Sequence, residues 1–83
     1  MTGMTLDRKA EIKALVCDIL ELDEADVTDT SLFKEDHGAD SLTSIEVVAA
    51  LEKKYGIVVE QAEMARMVNV AGVCEMVARA AGW

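Results

Sequence analysis

The stretch Gly38-Ala39-Asp40-Ser41-Leu42-Thr43-Ser44-Ile45-Glu46 places one hydroxyl, that of Ser41, directly behind a turn and at the mouth of a strong helical pattern. Gly38 permits a backbone turn that residues with a Cβ resist. Asp40 suits the N-cap, because its carboxylate can accept hydrogen bonds from the N–H groups left unpaired in a first helical turn. Ser41 then falls at about the first helical position, near the positive end of the helix dipole, where an attached phosphate is stabilised. Advancing by about 100° per residue, Ser44, Val47, Val48, Leu51 and Tyr55 gather on one side, the core face of a helix over 41–55. Leu42, Glu46, Ala49 and Lys53 form a second stripe turned well away from the first. An apolar residue beside a carboxylate on a solvent-facing stripe, one turn from Ser41, is the pattern of a docking surface. Gly56 ends the helix as a C-cap, after Lys53 and Lys54, whose charge suits that end of the dipole.

Upstream, Ile12, Leu15, Val16, Ile19 and Leu20 recur at helical spacing and predict a first helix over about 6–21. Thr5 can cap it, residues 1–4 read as a loose terminus, and Asp7 lies in the opening turn. Arg8, Lys9 and Lys13 sit at the end of this helix that the dipole disfavours for cations. Residues 22–40 form a long connection without a sustained period, of the kind usually functional or pinned by its own side chains. Leu22, Val27, Leu32 and Phe33 are spaced as plugs for it, and His37 reads as an exposed loop histidine. Downstream, Ile57-Val58-Val59 has no second strand pattern to pair with and reads as an extended segment entering the core. A short helix over about 60–66 follows, with Met64 and Met67 as adaptable filler. Asn69 is a suitable N-cap for a last helix over about 70–80, whose buried face is Val70, Val73, Cys74 and Val77. Gly72 is expected to weaken that helix slightly, and residues 81–83, with Trp83 last, to fray.

The 83 residues therefore predict one all-α domain, 1–83, a four-helix bundle of three longer helices and one short one, with a long loop between the first two long helices. With 52% hydrophobic residues but only 4% aromatic, the core must be built from Val, Leu, Ile, Ala and Met. The net charge of −8 is concentrated: residues 18–46 carry ten acids against one base, Lys34, a segment charge of −9. Such a field repels nucleic acid and anionic membranes and steers basic protein surfaces. Cys17 and Cys74 lie far apart inside apolar patterns and read as buried, unreactive thiols rather than a disulfide or a metal site. An EF-hand register from Asp29 puts Phe33 and Lys34 where a ligand and a glycine are required. With no signal peptide or membrane span in the sequence, a cytoplasmic monomer is expected.

The Asp40-Ser41-Leu42 triplet at a helix start, in an acidic chain of this length, resembles the attachment motif of acyl carrier proteins. The resemblance continues through Phe33, Gly38-Ala39, Ile45-Glu46-Val47-Val48, Ala50-Leu51-Glu52 and Tyr55, nearly the whole chain. It implies a helical carrier of the same fold, with 4′-phosphopantetheine covalently attached to Ser41 and Asp40 capping the helix beside it. It implies a non-catalytic protein, modified by a phosphopantetheinyl transferase and carrying acyl thioesters to ketosynthase and acyltransferase-type enzymes with basic docking surfaces. Leu42 and Glu46 match positions the family uses to meet those enzymes, and Ala49 and Met64 complete the expected docking set. His37 in place of Leu, Thr43 in place of an acid, Glu60 in place of Pro, and the Lys53-Lys54 pair depart from many fatty-acid carriers and favour polyketide or related biosynthesis.

Two other readings use the same residues. An unmodified acidic adaptor would bind a basic partner through the 41–55 helix alone. A hydrolytic enzyme would use Ser41 as nucleophile, His37 as base and Asp40 or Asp36 to orient it, but the residues cluster on one acidic turn with no evident oxyanion hole.

Overall fold

The computed structural model describes residues 6–38 and 40–83, and of Ser41 the backbone alone. The Thr5 cap, the loose residues 1–4 and Ala39 lie outside the described residues. Four α-helices follow in chain order: α1 Leu6–Leu20, α2 Phe33–His37, α3 Ser41–Tyr55 and α4 Val70–Ala81. Two 3-10 turns, Glu24–Asp26 and Gln61–Arg66, complete the all-helical architecture, and no strand is present among the described residues. The three long helices are those expected. The segment over 60–66 is a 3-10 helix, and the 22–40 connection contains the extra helix α2.

α1 packs on both α3 and α4, and the Gln61–Arg66 turn packs on α4. The core joins Ile12, Val16 and Cys17 of α1, Val47, Val48 and Leu51 of α3, and Val70, Val73, Cys74, Met76 and Val77 of α4. Met76, almost wholly buried, extends the expected face of α4. Both cysteines are free and buried, and burial pushes both thiols above the ordinary range.

Helix ends follow local chemistry. Asp40 and Asn69 cap α3 and α4, and Gly56 and Gly82 close them in the left-handed region. α1 ends differently: Glu21 takes a positive φ of 58° without being glycine, while Leu22 N–H reaches the Cys17 carbonyl at 2.8 Å. That closure satisfies carbonyls at the helix end at some steric cost.

Tertiary partners account for two of the three cations at the start of α1, Arg8 and Lys9. Lys9 pairs with Asp29 of the connection, and the Arg8 guanidinium lies 3.9 Å over the Trp83 ring. Trp83 does not fray. It meets Tyr55 edge-on, with ring centroids 5.4 Å apart, and its backbone N–H donates to the Ala78 carbonyl. Nor is Gly72 a mere weakness in α4, since a Cβ there would overlap the Arg66 carbonyl oxygen. The 3-10 turn thus approaches α4 closely only because residue 72 lacks a side chain.

The connection between α1 and α3 is pinned along its length. Val27 and Phe33 are buried plugs, and Leu22 packs against the core. Backbone bonds from Phe33 N–H to Val68 (2.9 Å) and from Ala71 N–H to Asp29 (3.0 Å) tie it to the segment leading into α4. Between α3 and the second 3-10 turn, Ile57 is buried but Val58 is exposed; the Glu52 carboxylate holds the extended backbone by accepting Val59 N–H at 2.9 Å.

Candidate functional site: the amino-terminal end of α3

Ser41 is the first residue of α3. Its hydroxyl lies outside what the structure describes, so the site is defined by the groups around it. Gly38, at φ 70°, closes α2 in the left-handed region and turns the chain toward Asp40. Asp40 has extended backbone, and its Oδ1 accepts the Thr43 hydroxyl at 2.6 Å and the Thr43 N–H at 2.9 Å. The hydroxyl bond first, then the backbone bond, holds the Asp40 carboxyl below the usual carboxylate range. In the sequence Thr43 stands out only as a departure from an acid; in the fold it is the capping partner.

The stripe on α3 is exposed as expected. Leu42 is 67% accessible, and Glu46 and Ala49 are exposed. Ile45, at 55%, joins them, a residue that the sequence pattern does not assign to the face; its spacing of three from Leu42 puts both on one side. Met64, in the Gln61–Arg66 turn, is half-buried and packs on the core, so it adds little to that exposed face.

Beside Asp40 lies a cavity of about 450 Å³, lined by Phe33, Lys34, Glu35, Asp40, Ser44, Met67 and Val68. Phe33, Met67 and Val68 supply its apolar lining, and the polar groups come from α2 (Lys34, Glu35) and from the start of α3 (Asp40, Ser44). Lys34, the one base of the acidic segment, is on this wall, and among the described residues it makes no ion pair. No signal in the sequence located the cavity, because its walls come from three separated segments.

The groups of the hydrolytic reading are engaged elsewhere. His37, half-buried rather than exposed, lies 3.1 Å through Nε2 from Ser31 Oγ. Asp36 accepts Leu32 N–H at 2.7 Å, and Asp40 is held by Thr43.

This geometry defines a class: a small helical protein that offers the start of a long helix, flanked by an exposed partly apolar face, with an apolar cleft alongside. The family described as "Phosphopantetheine attachment site" matches residues 10–77. "Polyketide-8 synthase acyl carrier protein 1" of Streptomyces avermitilis is 58% identical over 80 residues, covering 96% of this chain and 95% of that protein. "Polyketide-8 synthase acyl carrier protein 2" of the same organism is 40% identical over 75 residues, covering 90% and 85%. A chain in the solved structure of "The ishigamide ketosynthase/chain length factor" superposes with a TM-score of 0.80 at 33% identity, over 95% of this chain and 100% of that one.

The chain belongs to the acyl carrier protein family, a family of non-catalytic carriers whose prosthetic group is 4′-phosphopantetheine. The residues present fit that group. The start of a 15-residue helix favours a phosphodiester, and the apolar lining of Phe33, Met67 and Val68 suits the carbon chain of a cargo. When bound, the group supplies a terminal thiol that holds an acyl chain as a thioester.

Proposed function

We propose that Ser41 is the attachment residue, and that the protein is a discrete carrier of polyketide biosynthesis working in the cytoplasm. The observation that carries this reading is the position of Ser41 as first residue of α3, directly after the Asp40 cap, which itself lines the 450 Å³ cavity. A phosphopantetheinyl transferase moves the arm from coenzyme A: the Ser41 oxygen loses its proton and bonds the phosphorus of the arm as the pyrophosphate bond of coenzyme A breaks and adenosine 3′,5′-bisphosphate leaves. The net charge goes from −8 to about −9. Asp40 keeps the start of α3 formed, and the apolar lining of the cavity shelters apolar cargo from water. Leu42, Ile45, Glu46 and Ala49 form the face that meets successive enzymes, ketosynthases and acyltransferases among them, with Met64 at its margin. Their basic surfaces complement the acidic segment, which speeds encounter while leaving each complex weak enough to exchange. The names of the two Streptomyces relatives support polyketide assembly, and the likeness to a chain solved with a ketosynthase/chain length factor supports that partner class.

Acyl transfer from the loaded protein to a ketosynthase/chain length factor separates this reading from an unmodified adaptor. Ser41→Ala is expected to abolish transfer. Glu46→Lys is expected to slow it several-fold, and most strongly at low ionic strength. An unmodified adaptor could not be loaded and would show no transfer, and its binding to a basic partner would survive Ser41→Ala and be disrupted by Glu46→Lys.

A further inference from the structure

The geometry points to His37 as a positioning residue: its Nε2–H ties the end of α2 to the Thr28–Ser31 turn and so holds both the cavity wall and the turn that presents Ser41, an assignment of role that rests on the carrier reading above. Ser31 Oγ has one proton, for which the Thr28 carbonyl at 3.1 Å and His37 Nε2 at 3.1 Å are the two acceptors in reach. Ser31 Oγ also accepts Thr28 N–H at 3.0 Å, while Ser31 N–H donates to Thr28 Oγ1 at 3.0 Å. In the proposed arrangement that proton is donated to the Thr28 carbonyl, so that Ser31 Oγ accepts from the imidazole and His37 Nε2 carries the hydrogen, which lets all three groups bond at once.

The location gives that bond its consequence. α2 is five residues long, too short to persist on helical hydrogen bonds alone. Its start is held by Leu32 N–H to the Asp36 carboxylate (2.7 Å) and Phe33 N–H to the Val68 carbonyl (2.9 Å). His37 is its last residue and supplies the side-chain tie at the other end. Phe33, Lys34 and Glu35 between the two ties line the cavity, and Gly38 then leads to the Asp40 cap. Releasing the second tie frees the cavity wall and the approach to Ser41 together. A leucine at 37 could fill the space but could not donate.

The test compares amide hydrogen exchange in the intact protein, before any modification, for wild type, His37→Leu, His37→Gln and Ser31→Ala. His37→Leu is expected to speed exchange of the Phe33, Asp36 and Gly38 amides about five-fold, the population change of one lost neutral hydrogen bond. Core amides of α1 and α4 should be unchanged. His37→Gln, which can place an N–H near the same point, should restore the wild-type rates, and His37→Leu added to Ser31→Ala should have no further effect. Nitrogen-15 shifts of the His37 ring should report the Nε2–H tautomer. Unchanged exchange in His37→Leu, additive effects of the two substitutions, or an Nδ1–H tautomer would overturn the proposal. For the same variants, phosphopantetheine transfer should slow about five-fold for His37→Leu, in step with that population change, and recover in His37→Gln; a transfer rate that His37→Leu leaves unchanged also overturns the positioning role. Total absence of transfer in the wild type would instead count against the carrier reading, since exchange and tautomer are read without the arm.

Discussion

Asp40 shows how the side chain directly before Ser41 can be committed wholly to structure. Its carboxylate holds the Thr43 hydroxyl and N–H, and those bonds favour the ionised form. With the folded pKa depressed, the cap's pH-dependent contribution is complete above the unfolded value of about 3.9 and is lost as the pH falls through the folded value. Asp40→Ala is expected to lower the melting temperature at neutral pH, and Asp40→Asn, which still accepts from a backbone N–H, to lower it less. Melts followed by circular dichroism from about pH 7 to pH 3 should show less acid destabilisation in Asp40→Asn than in wild type; an equal loss would remove Asp40 from the account. Asp40 as a cap was legible in the sequence because capping is local. The engagement of Arg8 by Trp83 was not, since that partner comes from the other end of the chain, and the local bond of His37 to Ser31 was missed because it depends on α2, which five residues do not announce.

At the level of elements, α3 was readable from end to end because Asp40 and Gly56 bracket an uninterrupted 3.6-residue period. α1 lost its last expected residue because Glu21 closes it in a left-handed conformation that sequence associates with glycine. α2 escaped notice because five residues show no period, and the 3-10 geometry of Gln61–Arg66 looks in sequence like a short α-helix. The seat of that 3-10 turn on α4 is set by Gly72. Alanine there would gain about 1 kcal/mol of helix propensity, yet its Cβ would overlap the Arg66 carbonyl oxygen, a backbone atom that cannot swing aside. Gly72→Ala is therefore expected to destabilise the protein by about 1–3 kcal/mol, the range for overpacking a tight contact. Urea unfolding checks the sign: a more stable variant would show that the 3-10 turn yields freely.

For the whole molecule, the pole opposite the Ser41 end is closed by the chain's last residue. Trp83 stacks edge-on against Tyr55 and lies beneath Arg8, while Tyr55 and Lys54 both reach Glu11. This joins the ends of α3 and α4 to the start of α1. Trp83→Ala is expected to cost about 1–2 kcal/mol, combining an aromatic pair with a cation–π contact, as measured by chemical denaturation; no change would make the tail dispensable. The other pole holds the start of α3, its exposed face and the cleft that Asp40 and Ser44 line, and in the proposed reading it is the working end. The most direct measurement is intact mass and peptide mapping after incubation with coenzyme A and a broad-specificity phosphopantetheinyl transferase. The expected result is a single phosphopantetheine on the peptide containing Ser41, and none on a Ser41→Ala protein that keeps its helical circular dichroism. A folded wild-type protein that gains no mass, or a Ser41→Ala variant that still gains it, would contradict the assignment.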